Sequence, residues 1–289
     1  MTGTRRCVVA VVGSLNLDLT AYVSRAPEKG ETVLGRHLAT YPGGKGANQA
    51  VGAARLVPTA IVGAVGRDHA ADLLRGVQEK AGVDTTHLRT TRAPTGRAIV
   101  IVTDDGENRI IVIPEANSLL RARDVTAALD ELDPVVVLTQ LELLPAVTWA
   151  AAEWARSHHR RFVLNPSPVT DIDDYILAGA DPLVLNEQEA LLYAALPAEA
   201  TFEDVVHRLL ERVRSVVITR GGEDVVVGTE DAIEHLRVPH VDVVDTTGAG
   251  DHFAGTLAAL LGSGRDLFTA AREASEAAAR LVAMRRTDR

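Results

Sequence analysis

Strand-length apolar runs rich in Val and Ile recur along this 289-residue chain: CVVAVV, TAIVGAV, AIVIVT, RIIVIP, PVVVLTQ, RFVLN, PLVLN, SVVITR and DVVVG. They lack strict alternation of apolar and polar residues, which suits strands buried on both faces. Helical stretches fall between many of them, at 46–56, 69–81, 145–157 and 203–213. Such alternation predicts an α/β fold, a central mostly parallel β-sheet flanked by helices. No internal repeat, low-complexity tract or linker interrupts it, so 1–289 is expected to form a single principal domain.

Two segments break the pattern. Residues 19–42 carry short alternating pieces with Pro, Gly and charge between them, and 96–117 reads as a hairpin across Asp104-Asp105-Gly106-Glu107-Asn108. Singly, each is a surface loop or an edge hairpin. Together, approximately 19–41 and 96–113 would form a small β-sheet lid over a cleft. The trailing segment 266–289 reads as an amphipathic helix with an Ala-rich face.

Charge narrows the ligand class. The formal net charge is −9 and no Lys/Arg cluster exceeds a short pair, so no nucleic-acid partner is expected. An anion would have to be held locally, by backbone N–H groups and a few placed cations. The single cysteine, Cys7, excludes a disulfide framework and reads as a small buried hydrophobe in the first strand. The apolar run 7–12 that follows the basic pair Arg5-Arg6 is too short for a signal peptide or a membrane span, which makes a cytoplasmic location the expectation. His158-His159 reads as a solvated pair complementing a helix dipole, and Trp149 and Trp154 as packing residues. No G-x-S-x-G supports a hydrolase.

Three stretches can carry chemistry. VDTTGAGDHFAG (244–255) places Gly248, Ala249 and Gly250 before an apolar helix, where successive N–H groups and the helix dipole suit a phosphate. Asp251 follows in the first turn, placed to take a proton from a hydroxyl. The simpler alternative is that Asp245 or Asp251 only caps the helix. The loop is neither a Walker A nor a Rossmann fingerprint. PGGKGANQA (42–50) is a second glycine-rich helix entrance, with Lys45 to neutralise charge and Asn48 to pair with sugar hydroxyls, or else a plain turn and cap. GSLNLD (13–18) follows the first strand, so Asn16 and Asp18 sit where open α/β sheets bind ligands. Glu142 in LTQLE and Asn186 and Glu189 in NEQE have the same strand-end placement.

GSLNLD, GGKGANQA, TQLE, NEQE and DTTGAGD, in this order and spacing, resemble the ribokinase branch of the PfkB carbohydrate kinase family, from about residue 7 to residue 283. The resemblance implies a sheet lid over the sugar site, pairing of lids into a homodimer, and ATP and Mg²⁺ dependence. It implies that Asn16, Asp18, Gly44, Lys45, Gly46, Asn48, Glu142 and Asp251 bind the sugar, D-ribose first, with other sugars or nucleosides as alternatives. Asp251 would be the base and Gly248, Ala249 and Gly250 the anion hole. Asn186, Thr219, Gly221, Gly250 and Ser275 would bind the nucleotide, and Glu189 the magnesium through water. Asp245 and Thr247 match half of a monovalent-cation site; the other half is not matched before Met284-Arg285-Arg286, which counts against K⁺ activation. His252 and Ala254 depart from the family's DTFNG pattern, and they motivate a second reading, a sugar-binding homologue that has lost catalysis.

Overall fold

The computed structural model describes residues 7–105 and 108–285. The pair Arg5-Arg6, Gly106 and Glu107 within the expected hairpin, and the trailing 286–289 lie outside the described residues.

In chain order, β1 (Val9–Val12) leads through 13–15 into β2 (Asn16–Val23), and β3 (Gly35–Gly43) delivers the chain to α1 (Lys45–Ala54). Then come β4 (Thr59–Val65), α2 (His69–Lys80) and the short β5 (Val83–Asp84) and β6 (Leu88–Thr90). β7 (Gly96–Val102) and β8 (Asn108–Ile113) precede a 3-10 turn (Glu115–Leu119) and α3 (Ala122–Leu132). Regular alternation follows: β9 (Val136–Thr139), α4 (Pro145–Ser157), β10 (Arg161–Leu164), α5 (Asp174–Gly179), β11 (Ala180–Asn186) and α6 (Glu187–Ala194). Last come α7 (Phe202–Leu210), β12 (Ser215–Thr219), β13 (Asp224–Thr229), β14 (Ile233–Arg237), α8 (Ala249–Gly262) and α9 (Leu267–Val282).

The main sheet runs β14-β13-β12-β11-β10-β9-β1-β4-β5, with β6 also against β4. It is parallel from β12 to β5, and only β13 and β14 are antiparallel additions. A short turn joins β12 to β13, and a connection that short can only make a hairpin. Every residue of β1 and β4 is buried, because helices cover both faces. Successive β1 residues feed opposite cores: Val9 and Val11 pack with α1, α8 and α9, and Ala10 and Val12 pack with α3 and α4. From β1 the chain builds outward to β4 and β5, then returns to build β9 to β12 on the other side. The order therefore reverses between β1 and β9, where open α/β sheets leave a crevice.

A second, four-stranded sheet has the order β3-β2-β7-β8. This corrects the reading of AIVIVT and RIIVIP as strands buried on both faces: they are β7 and β8 of this sheet, and β8 is almost wholly exposed. Apolar runs alone do not distinguish a buried strand from one whose outer face is uncovered. The alternation in β2 is inverted relative to an ordinary surface strand. Asn16 and Thr20 are buried at 2% exposure, and Asp18 shares their side. Leu17 and Leu19 point the other way; Leu19 is in register with Ile99 and, across β7, with Ile111, which is 58% exposed. The polar side of β2 is thus turned inward, beside Gly96, Ala98 and Val100 of β7.

Helices α1 and α8 pack through small residues, Ala50 and Ala53 against Phe253, Ala254 and Leu257 among them. At Gly255 the backbone of α8 lies so close to the Gln49 carbonyl that no Cβ could be accommodated. That close approach brings the entrance of α8 beside residues 48 and 49.

Candidate active site

The entrance of α8 is built without a side-chain cap. Its N-cap is Gly248, at φ 75°, a left-handed conformation that glycine adopts without strain. Neither Asp245 nor Asp251 caps the helix, which removes the simpler alternative for this loop. The Asp245 carboxylate instead accepts from the Thr247 N–H at 2.8 Å, while its own N–H donates to Val282 O at the end of α9. The Ala249 N–H is engaged by the Thr246 carbonyl at 3.1 Å; the Gly250 N–H, further into the first turn, is not used there. A Cβ built on Gly250 meets nothing within 4 Å. Gly248, Ala249, Gly250 and Asp251 line a cavity of about 190 Å³ with Lys45, Asn165, Asn186, Glu189 and Thr219. It lies beyond the carboxyl ends of β10, β11 and β12, where the parallel strands end together.

Asp251 is held by two amides from α1. Asn48 Nδ2 donates to Oδ2 at 3.0 Å, and Gln49 Nε2 donates to Oδ1 at 3.2 Å. On the other side of α1 the loops after β1 and β9 supply the remaining acceptors. Glu142 accepts from Ser14 Oγ, from the Lys45 N–H at 3.2 Å and, more distantly, from Asn16 Nδ2 at 3.5 Å. Burial pushes the Glu142 carboxyl above its ordinary range, an effect opposed by the Ser14 hydroxyl and Lys45 and reinforced by Asp251. Asn16 is fixed in turn by Asn117 Nδ2, 2.8 Å from its Oδ1. The Asp18 carboxylate lies directly against Gly43, leaving no room for a side chain there. Gly44 is the N-cap of α1, at φ 93°, and Gly46 donates its N–H to Ser14 Oγ at 3.4 Å.

The remaining predicted residues fall on the far side of the cavity. Asn186 and Glu189 form a reciprocal capping box on α6: Asn186 Oδ1 accepts from the Glu189 N–H at 2.8 Å, and Glu189 Oε2 from the Asn186 N–H at 2.9 Å. Helix capping therefore accounts for their spacing, while both still face the cavity. Thr219 donates its hydroxyl to Leu185 O at 3.3 Å, and Gly221 occupies the open β12–β13 turn at φ 62°. Ser275 is 3% exposed within α9 and does not line the cavity. Among the described residues no group of three His, Cys, Asp or Glu is placed to hold a metal by itself.

His252 and Ala254, the two departures in the loop motif, are not among the residues lining the cavity beside Asp251. His252 lines a neighbouring cavity of about 160 Å³ and packs on Gly52, and Ala254 is fully buried. Of the tryptophans, Trp154 is buried as expected, but Trp149 is 46% exposed and stacks on Tyr175. His158 is not simply solvated: its ring stacks on Trp154 and its Nδ1 lies 2.9 Å from Trp154 O. Cys7 precedes β1 rather than lying in it, and burial pushes its thiol up to about 11.

Gln49, Gln140, Asn165, Ser14 and Asn117 are absent from the predicted site, yet they hold it. Gln140 and Asn165 each lie just beyond a parallel strand, a signal available in LTQLE and RFVLN. Gln49 gave no such signal, since a glutamine inside an Ala-rich helix reads as surface.

Residues 8–288 match the pfkB family carbohydrate kinase model. The chain is 33% identical to the ribokinase of Staphylococcus aureus over 266 residues, covering 89% of this chain and 87% of that one. To the ribokinase of Mus musculus it is 36% identical, covering 86% and 80%. The structure of Arabidopsis thaliana ribokinase complexed with ribose and ATP superposes with a TM-score of 0.86 at 28% identity, covering 96% and 93%.

Proposed function

Because this chain belongs to the pfkB family of carbohydrate kinases, we propose that it transfers the γ-phosphoryl group of ATP to the primary 5-hydroxyl of D-ribose. The observation that carries the reading is the placement of Asp251. Its carboxylate is oriented by Asn48 at the edge of a cavity that the adjoining Gly248–Gly250 entrance of α8 also lines. Similarity to ribokinases, one of them of known structure complexed with ribose and ATP, supports the choice of sugar and nucleotide.

In this mechanism Asn16, Asp18, Asn48 and Glu142 pair with the ring hydroxyls, with Gly44 and Gly46 allowing close backbone approach. The 5-hydroxyl gives its proton to Asp251 as its oxygen forms a bond to Pγ, and the bond from Pγ to the ADP oxygen breaks. N–H groups at the α8 entrance and the Lys45 ammonium meet the charge on the transferring group. Ala249 contributes its N–H only by giving up Thr246. Thr219 and Gly221 border the nucleotide; Ser275, inside α9, is assigned a supporting role behind the adenine. Magnesium would enter with the nucleotide phosphates and neutralise their charge. One Glu189 oxygen is committed to the capping box, so the side chain suits holding a hydrated ion through water. Asp245 and Thr247 remain the candidate monovalent-cation ligands.

The inward side of β2 carries Asn16 and Asp18, so the second sheet is read as the lid that excludes water during transfer. Its outer side, with Leu38, Ile99 and Ile111 exposed, is read as the homodimer contact. His252 lines a neighbouring cavity that Asn48 and Gly248 also line, and Ala254 is buried, so the impaired-homologue reading stays as the alternative. ADP release measured across pentoses, ketohexoses and nucleosides is expected to be greatest with D-ribose. A higher kcat/KM for another acceptor would reassign the substrate, and binding of ribose without ADP release would favour the impaired reading.

Glu142 sets an expected pH dependence. With its carboxyl raised by burial, it becomes protonated as pH falls through a value above the ordinary carboxylate range, and the protonated oxygen then donates where the carboxylate accepted from a sugar hydroxyl. The ribose KM should therefore climb on that acid limb, and in Glu142→Gln it should be high and flat with pH. Stability runs the other way. The folded state binds this proton more tightly than the unfolded chain, so the contribution is complete below the unfolded value and is lost as pH rises through the folded one. A wild-type KM independent of pH would remove Glu142 from the sugar contacts.

A further inference from the structure

Behind Asp251 lies a chain of buried amides with a fixed direction. Asn165, just past β10, donates Nδ2 to the Val184 carbonyl of β11 at 3.0 Å, which leaves its Oδ1 able only to accept. That oxygen takes one N–H of Gln49 at 3.0 Å, and Asp251 Oδ1 takes the other at 3.2 Å. With its amide nitrogen so oriented, Gln49 presents Oε1 to Gln140 Nε2, which donates at 2.6 Å. Gln140 Oε1 is then left buried without a partner, packed over Gly13. Reversing any amide would set two acceptors face to face: Asn165 against Val184, Gln49 against Asn165 and Asp251, or Gln140 against Gln49. The backbone of β11 thus dictates, through Asn165, that Gln49 presents a donor to Asp251.

Gln49 is fully buried, although it lies on a helix whose neighbouring residue, Asn48, reaches the same carboxylate from the other side. The two donors engage different oxygens, so the carboxylate plane is fixed at both ends. The close contact of Gly255 with the Gln49 carbonyl also ties the backbone of α8 to this position. A glutamine needed only to fill the helix interface would not require both of its N–H groups aimed at acceptors, nor a partner chain that leaves a buried oxygen orphaned at its end. Such a burial is costly and calls for compensation.

We propose that Gln49 is a positioning residue for Asp251: anchored through Asn165 to β11, it holds the carboxylate in the orientation from which it accepts the sugar proton. The inference rests on the reading of Asp251 as the base. Gln49 touches neither sugar nor nucleotide in this scheme, so its effect belongs in kcat rather than in sugar binding.

The test combines steady-state kinetics on the best sugar with a double-mutant cycle, each variant checked for folding by circular dichroism and thermal melting. Gln49→Met, similar in volume and without donors, is expected to lower kcat on the order of 10- to 100-fold, the scale of a misoriented catalytic group. Its sugar KM should stay within about 2-fold, and in an Asp251→Asn background the same change should alter the residual rate by less than about 2-fold, because the group it positions is gone. A folded Gln49→Met at wild-type kcat overturns the proposal, as does an equal loss in both backgrounds, the mark of a purely structural role. Should Gln49→Met not fold, Gln49→Glu keeps the shape and the acceptor for Gln140 but loses the donor pair. It should show the same loss of kcat at near-constant KM, and wild-type kcat in that variant overturns the proposal equally. Full turnover by Asp251→Asn overturns the base reading and this inference together, whereas loss in Asp251→Asn with none in Gln49→Met overturns this inference alone.

Discussion

Asp251→Asn is expected to lower kcat at least ~10²-fold, the smaller end of what a positioned general base contributes, while ribose still binds by calorimetry. The substitution is nearly isosteric and leaves an oxygen able to accept from Asn48 or Gln49, so the α1–α8 contact should persist. What disappears is the capacity to take the hydroxyl proton. The position is specific in this fold: the carboxylate sits in the first turn of α8, beside N–H groups that would meet the transferring phosphoryl group. Retained turnover in a folded Asp251→Asn protein would remove Asp251 from the base role. Loss of ribose binding together with activity would instead make it a sugar-holding residue.

Gly250→Val should separate stability from activity in the opposite sense to most core substitutions. A Cβ at 250 meets no protein atom within 4 Å, because the position opens onto the cavity. Helical glycine is also less favourable than alanine by about 0.5–1 kcal/mol, so Gly250→Ala should melt at or above the wild-type temperature. Yet the added methyl groups of valine would stand in the space assigned to the phosphoryl oxygens and screen the Gly250 N–H. The expected loss in kcat/KM is on the order of 10²-fold or more, comparable with deleting a donor from an oxyanion hole, with alanine intermediate. A valine variant that turns over normally would place the phosphoryl group elsewhere. One that is inactive because it is unfolded would show that the loop, rather than the chemistry, requires glycine.

Much of this site was legible because its parts are local. A glycine-rich entrance before an apolar run marks a helix start, and polar residues just after Val-rich runs mark the carboxyl edge of a parallel sheet, so Asn16, Glu142, Asn186 and Asp251 could be named from spacing. Gln49, Asn165 and Gln140 could not be joined to them. Their contacts with one another and with Asp251 span from 91 to 202 positions of sequence, and periodicity carries no information on which buried amide meets which carboxylate. The N-x-x-E spacing was ambiguous for the converse reason: its local use, a capping box, and its use in the cavity require the same two residues at the same separation.

The chain by itself determined the order of strands and helices, the glycine-rich entrances of α1 and α8, and its membership of the family, because each is written in short-range pattern. The tertiary structure decided which side of each element does the work. It turned the polar side of β2 inward, set His252 against Gly52, and used the bare backbone at Gly255 to bring α8 against α1. Burial sets those outcomes: a polar group withdrawn from water must find a partner, and which partners are within reach depends on how closely two distant segments can pack.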